Sequence, residues 1–142
     1  MERGKFVKAA PDMSVIKASR LMARKRVGAV LVIEDKRLLG IFTERDALFR
    51  VIAEGRDAVA TRVADVMTRH PKTIGPDESF GLALLTMHEN AFRHLPVIED
   101  GVPIGIVSMR NALDPDLVEF RSELERRRHI VRQRAGARPA RR

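Results

Sequence analysis

The pattern of apolar and polar positions first predicts a helix over about residues 14–25. Ser14 is a favourable N-cap residue, because its side-chain oxygen can accept a hydrogen bond from a free backbone N–H. The apolar residues behind it recur at helical spacing: Val15, Ala18, Leu21 and Met22. Cationic residues occupy outer positions, so one side of this helix is expected to face a core.

A pair of strands is predicted after this helix. Residues 29–33 form a continuous apolar run that is mostly β-branched, which indicates a strand buried on both faces. Residues 34–37 are all charged and predict a turn. Residues 38–42 predict a second strand, which is close enough to the first to form a hairpin with it.

Shorter elements are predicted on both sides of the hairpin. Residues 6–7 are a candidate short strand near the start of the chain. A second helix is expected to begin near Glu44 and to end before Gly55. Residues 56–70 form a link, in which residues 63–67 can make one helical turn.

The chain then repeats itself at an offset of 65 residues. Residues 11–48 align with residues 76–113 without a gap. The heptapeptide Gly-Ile-Phe-Thr-Glu-Arg-Asp at 40–46 recurs in degraded form at 105–111. An ungapped internal match of this length indicates two copies of one structural unit.

The second copy predicts the same order of elements as the first. These are a short strand at Thr73 and Ile74, a helix from Ser79 to about Asn90, strands over 95–98 and 103–107, and a short helix from Met109. Each copy is β-α-β-β-α, so the predicted fold class is α/β (α+β). One copy cannot cover the apolar face of its own sheet, so the two are expected to pack sheet to sheet about a pseudo-twofold axis.

Three regions are therefore expected along the chain. Residues 1–60 form the first repeat and residues 61–114 the second. Residues 115–142 form a C-terminal helix, to about residue 132, and a basic tail that is expected to be disordered.

Composition excludes several classes of function. The chain has no cysteine, which removes disulfides, thiolate metal sites and thiol catalysis together. Its longest apolar run, residues 27–33, is far shorter than the ~20 residues that span a bilayer. These features favour a cytoplasmic protein that does not cross a membrane.

The net charge of +8 is concentrated at the C-terminus. Residues 121–142 hold nine arginines and two glutamates, whereas residues 1–120 are nearly neutral at +1. Such a segment can bind a polyanion or nucleic acid weakly and with little sequence preference. The alternative is that it only keeps the protein in solution.

Thr43 and Asp46 are the first candidates for binding chemistry. Thr43 is expected to lie between a strand and a helix, where free backbone N–H groups and the helix dipole favour an anion. Asp46, one turn further on, can present its carboxylate to the hydroxyls of a ribose. The alternative is a capping box, in which the two side chains satisfy each other's backbone donors.

The repeat and its motifs resemble a tandem pair of CBS domains, over about residues 5–113. The resemblance is carried by the heptapeptide at 40–46 and by four further stretches: Asp65-Val66-Met67-Thr68, Pro76-Asp77-Glu78-Ser79, Arg93-His94-Leu95-Pro96-Val97 and Gly105-Ile106. No single stretch is specific to the family, but together, on a chain that repeats itself, they are strong evidence for the resemblance. In such pairs the positions of Thr43 and Asp46 commonly meet the phosphate and ribose of adenosine nucleotides.

The resemblance also implies a second site, with changes. Ser108 keeps a hydroxyl group, but Asn111 replaces the carboxylate, so this site is altered in preference or empty. The slot for the base corresponds to Thr73, Ile74, His94 and Pro96. His94 can stack on a base, but it can also be a half-buried structural histidine.

Three arginines are candidate phosphate ligands by charge and position, and each can instead be a solvated surface residue: Arg45, Arg93 and Arg110. Four methionines are expected to fill the core: Met22, Met67, Met87 and Met109.

The function implied is regulatory binding and not catalysis. A tandem CBS pair of this kind is expected to bind AMP, ADP, ATP or a related adenosyl ligand, and it requires no cofactor. Such pairs usually associate through their helices, which predicts a homodimer. Because no effector domain is visible beside the two repeats, the output is expected to lie in another protein or in the C-terminal tail.

Overall fold

The computed structural model describes residues 6–109 of the chain. In chain order the elements are β1 (Lys8–Ala9), α1 (Val15–Lys25), β2 (Ala29–Glu34), β3 (Arg37–Thr43), α2 (Glu44–Asp46), a π-helix (Ala47–Ile52), α3 (Val63–Val66), β4 (Thr68–Arg69), α4 (Phe80–Glu89), β5 (His94–Glu99) and β6 (Val102–Ser108). The predicted helices after Met109 and after residue 115, and the basic tail, lie outside the described residues.

Capping side chains define where the two longest helices begin. The Ser14 Oγ accepts a hydrogen bond from the backbone N–H of Lys17 at 3.3 Å, and the Ser79 Oγ accepts one from Leu82 at 3.0 Å. Helix α1 ends at Arg26, whose φ of 55° is left-handed. Both helices were predicted from sequence, and the structure confirms them.

The first sheet has four strands in the order β1-β2-β3-β4. Strand β1 runs parallel to β2, whereas β3 is antiparallel to both of its neighbours. The fourth strand comes from the predicted link, so the expectation of three strands was wrong for this repeat. The first strand was also misplaced, because the residues that pair with β2 are Lys8 and Ala9 rather than residues 6–7.

Gly40 is the position that lets strand β4 come close to β3. A Cβ atom built on Gly40 would lie 2.6 Å from the backbone oxygen of Thr68 and 2.7 Å from the Sδ of Met67. Only glycine avoids this overlap, so Gly40 is what permits the close approach of the two strands.

The second repeat pairs β5 with β6 in the same antiparallel register. Leu95 lies opposite Val107, just as Val30 lies opposite Phe42 in the first repeat. The predicted short strand at 73–74 is reduced to one parallel bridge, between Ile74 and Val97. The Ile74 N–H donates to the Pro96 oxygen at 2.9 Å, so this residue takes the place that β1 has in the first repeat.

The helical stretch after β3 has the predicted extent but not the predicted winding. After three residues of α2 it becomes a π-helix, in which the N–H of Ala53 donates to the oxygen of Leu48, five residues earlier, at 2.9 Å. Val51 is buried, whereas the three large apolar neighbours on this segment are exposed: Leu48, Phe49 and Ile52.

The core lies in three clusters. One fills the first repeat around Val30, and another fills the second repeat around Leu95. The third cluster joins Leu31 and Ile41 of the first sheet to Ile106 of the second. The sheets therefore pack face to face, as predicted. Met22, Met67 and Met87 are buried as expected, but Met109 is 37% exposed and was wrongly assigned to the core.

Candidate functional site

Thr43 and Asp46 form a capping box at the end of β3. The Asp46 N–H donates to the Thr43 Oγ1 at 3.2 Å, and the Thr43 N–H donates to the Asp46 Oδ2 at 3.0 Å. The Thr43 hydroxyl also donates to Oδ2 at 3.2 Å. Asp46 is 5% exposed, and it is the one charged residue buried within residues 6–109. The capping box that the motif allowed as an alternative is therefore present in the structure.

Two residues that the sequence reasoning missed complete the surroundings of Asp46. The Thr68 hydroxyl donates to Oδ1 at 3.2 Å, and the Arg50 Nε lies 3.5 Å from the same oxygen. Arg50 also donates to the backbone oxygen of Met67 at 2.9 Å. The sequence could have indicated the contact of Arg50 with Asp46, because Arg50 follows four residues after Asp46 and residues at i and i+4 are neighbours on a helix.

These contacts limit the hydrogen bonds that the Asp46 carboxylate can accept from a ligand. Both of its oxygens already accept hydrogen bonds, so a ribose diol has to replace one of them or share it. The Thr68 hydroxyl is the group best able to give way, because a rotation about its χ1 redirects it without moving the backbone. A ligand that replaced the Thr68 hydroxyl at Asp46 would have to offset the loss of this hydrogen bond.

Arg45 reaches from the first repeat to the second. Its Nη1 donates to the backbone oxygen of Ala91 at 3.2 Å, beyond the end of helix α4. Its guanidinium lies 5.7 Å from the centre of the Phe49 ring, within range of a cation–π contact. The side chain is exposed, so this arrangement leaves the guanidinium accessible to a phosphate as well.

Glu44 and His94 meet over Gly28, again across the two repeats. A Cβ atom built on Gly28 would overlap the Glu44 Oε1 and would lie 3.1 Å from the His94 Nε2. Burial lowers the pKa of His94, the Arg93 cation lowers it further, and the Glu44 carboxylate opposes both. His94 is half-buried, as expected for a structural histidine.

The remaining predicted residues lie along β5 and its neighbours. Pro96 and Ile74 are buried and share a backbone hydrogen bond, while Thr73 is exposed. Ser108 is half-buried and lies opposite His94 in the register of β5 and β6. Arg93 is exposed, and its backbone oxygen accepts from the N–H of Met109 at 2.9 Å.

The structure brings the predicted residues into two groups, which approach each other where Arg45 bonds to Ala91 and where Glu44 and His94 both lie beside Gly28. The first group is Thr43, Arg45 and Asp46, and the second is Thr73, Ile74, Arg93, His94, Pro96 and Ser108. They meet where residues 44–45 contact residues 91–94, and we call this contact the junction. Arg110 and Asn111 lie outside the described residues.

Metal-binding and membrane-spanning features are both absent from residues 6–109. No group of three or more histidine, aspartate or glutamate side chains there is placed to hold a metal ion. No helix in the same range has the length and apolar character to cross a membrane.

Comparison with known proteins assigns the chain to a family. The family model described as CBS domain matches twice, over residues 1–53 and 63–115, and the chain belongs to this family as a tandem pair. The mitochondrial CBS domain-containing protein CBSX3 of Arabidopsis thaliana is 37% identical over 128 residues. That match covers 87% of this chain but only 62% of the plant protein.

Solved structures share the same fold. A protein with CBS domains from Burkholderia ambifaria, described as a candidate for signal transduction, is 33% identical with a TM-score of 0.73, covering 80% of this chain and 82% of its own. A CBS domain protein of Pyrobaculum aerophilum, solved in complex with AMP, has a TM-score of 0.70. At 20% identity, over 82% of this chain and 91% of its own, the second likeness shows the fold alone.

Proposed function

We propose that this chain is a non-catalytic regulatory module that binds an adenine nucleotide, or a related adenosyl ligand, at the junction of its two repeats. The observation that carries the proposal is the contact between residues 44–45 and residues 91–94. A ligand held there touches both repeats, so its binding energy can favour one arrangement of them over another.

The described side chains suit the parts of a nucleotide. Arg45 and Arg93 are exposed cations on either side of the junction and can pair with phosphate oxygens. Asp46 can accept hydrogen bonds from the ribose hydroxyls once Thr68 has turned away. His94, which is half-buried on the second-repeat side of the junction, can stack on the base.

AMP is the first ligand to test, because a protein with this fold has been solved in complex with AMP. ADP, ATP, NAD and S-adenosylmethionine are the comparison set, and GMP tests whether the base is recognised. The measurement is the shift in thermal midpoint as each ligand is titrated. At about 100 times its dissociation constant a ligand stabilises the folded state by about 2.7 kcal/mol.

The variant that tests the site is Asp46→Asn, which keeps an acceptor for the capping box and removes the charge. We expect the ligand-induced shift to fall by more than half, whatever the midpoint of the unliganded variant. The matched control is Asp65→Asn, an exposed aspartate that pairs with Arg62 at 3.1 Å. Equal shifts in the wild type and in both variants would exclude Asp46 from the site.

We further propose that the module acts as a homodimer and signals to another protein. Exposed apolar side chains on the π-helix and on α4 support self-association through the helices: Leu48, Phe49, Ile52, Leu82 and Leu85. The cytoplasmic location remains a prediction.

A further inference from the structure

Helix α1 carries a row of positive charge along its outer side. Lys17, Arg20 and Arg24 recur at intervals of three and four residues and are all exposed, and we call them the basic row. The opposite side of the helix packs into the core of the first repeat through Val15 and Met22. The row is therefore held at the surface by a rigid element.

The stability of the helix accounts for only one of these three charges. Cations near a helix C-terminus are favourable, which explains Arg24 and its neighbours in the last turn. Lys17 lies in the first turn, where a cation is unfavourable and where α1 has no acidic residue. Arg20 and Arg24 are like charges at i and i+4, which also destabilises the helix.

Neighbouring acidic groups do not neutralise the row either. Within residues 6–109 the side chains of Lys17, Arg20 and Arg24 make no ion pair and no hydrogen bond. The chain from residue 13 to residue 33 contains no aspartate or glutamate at all.

The second repeat shows that the fold does not need cations at these positions. At the offset of 65 residues, the counterparts of the basic row on α4 are Leu82, Leu85 and Glu89. Helix α4 packs in the same way, with Phe80, Ala83 and Met87 buried. The charge is thus a property of one copy and not of the fold.

We propose that the basic row of α1 binds the phosphate backbone of a duplex nucleic acid, without sequence preference. The row extends about 10 Å along the helix, at about 1.5 Å per residue. Arginine, which supplies two of its three members, pairs with phosphate in bidentate fashion. Helix α1 has no aromatic residue on which unpaired bases could stack, so the row suits a duplex better than a single strand.

The test compares two triple variants of the full chain by fluorescence anisotropy. The probe is a labelled DNA duplex of about 20 base pairs, because binding to a backbone depends on its charge density and not on its sequence. Lys17→Gln/Arg20→Gln/Arg24→Gln removes the row, and Lys36→Gln/Arg56→Gln/Lys72→Gln removes the same charge from exposed turns and loops. Both variants keep residues 121–142 unchanged.

We expect the row variant to bind at least 10-fold more weakly than the wild type, and the control variant less than 3-fold more weakly. The slope of log K against log salt should fall by about 2–3 for the row variant, at about 0.9 for each lost phosphate contact. Equal losses in both variants would overturn the proposal, because net charge or the C-terminal segment would then be responsible. The absence of salt-dependent binding by the wild type would overturn it too.

Two further measurements distinguish a nucleic acid from an acidic protein, and a binding role from a structural one. Polyglutamate should displace the labelled duplex far less well than unlabelled duplex does, and equal displacement would assign the row to an acidic protein instead. The thermal midpoint of the row variant should lie close to that of the wild type, because loss of the favourable Arg24 charge at the helix C-terminus offsets removal of the unfavourable Lys17 charge and of the Arg20–Arg24 repulsion. A midpoint far below that of the wild type would mean that the row has a structural role and would overturn the proposal.

Discussion

Asp46 has a structural role in the capping box and a binding role in the proposed function. The capping box and the nucleotide site were alternatives in the sequence; the structure contains the first, and the proposal adds the second through the turning of Thr68 away from the carboxylate. The sequence predicted Thr43 and Asp46 as a pair because they are three residues apart. It held no comparable signal for Thr68, whose contact with Asp46 depends on the path of the link between the repeats.

Gly40 and its counterpart Gly105 give a matched pair of mutations. Gly40→Ala should destabilise the protein by about 1–3 kcal/mol, the usual cost of an overpacked site, because its Cβ would overlap backbone that cannot move freely. Gly105→Ala should cost less, because a Cβ there has no neighbour within 4 Å among the described residues. Urea denaturation measures both, and equal losses would contradict the packing described around Gly40.

His94 predicts a dependence of stability on pH. Its pKa is lowered in the folded state, so the unfolded chain takes up a proton first as the pH falls. The free energy of unfolding should therefore decrease as the pH falls below the ordinary histidine value of about 6.5. His94→Gln should reduce this decrease, whereas Glu44→Gln should enlarge it by removing the charge that favours the imidazolium.

The measurement for His94 is the thermal midpoint between pH 7.5 and pH 5.5 for the wild type and the two variants. His88→Gln is the control, because His88 is exposed on α4 and should leave the difference unchanged. A wild-type midpoint that rises towards pH 5.5 would show that the imidazolium is the favoured form and that the Glu44 contact dominates.

At the scale of elements, the sequence predicted what local pattern determines. Helices α1 and α4 and the two hairpins follow from capping residues and apolar periodicity, and the structure contains all four. Strands β1 and β4 have two residues each, and they exist only because the neighbouring strand supplies their hydrogen bonds. The π-helix could not be predicted either. Its N–H groups donate to the residue five positions earlier instead of four, and this change does not alter the pattern of apolar residues.

The exposed faces of the π-helix and α4 predict the route of self-association. Leu48→Gln/Ile52→Gln should convert a dimer to a monomer, because it replaces two exposed apolar side chains with polar ones of similar length. Light scattering after size-exclusion chromatography measures the mass directly. Val59→Gln is the matched control, since Val59 is as exposed as Ile52, at 70%, but lies outside the helices. A double variant that remains dimeric would place the interface elsewhere.

At the scale of the whole molecule, the internal repeat determined most of what could be predicted. It indicated the order of elements and the sheet-to-sheet packing, which Ile106 confirms by joining the cluster around Leu31. It could not indicate the junction, because the contacts of Arg45 with Ala91 and of Glu44 with His94 join positions that are not equivalent in the two copies. Contacts of this kind depend on how the copies are placed and not on the pattern within either.

The charge of the molecule is also distributed unequally between the copies. Helix α1 presents cations where α4 presents mostly apolar side chains, although both helices cap and pack alike. Divergence of the outer faces would let α1 bind a polyanion while the π-helix and α4 contact a second subunit. The junction between the copies would remain for the small ligand.

A crystal structure of the protein with AMP is the decisive measurement for binding at the junction. We expect density for one adenosine moiety there, with its ribose hydroxyls within hydrogen-bond distance of the Asp46 carboxylate and the Thr68 hydroxyl turned away. Density on an outer face, with the bond between Thr68 and Asp46 intact, would contradict the proposed site.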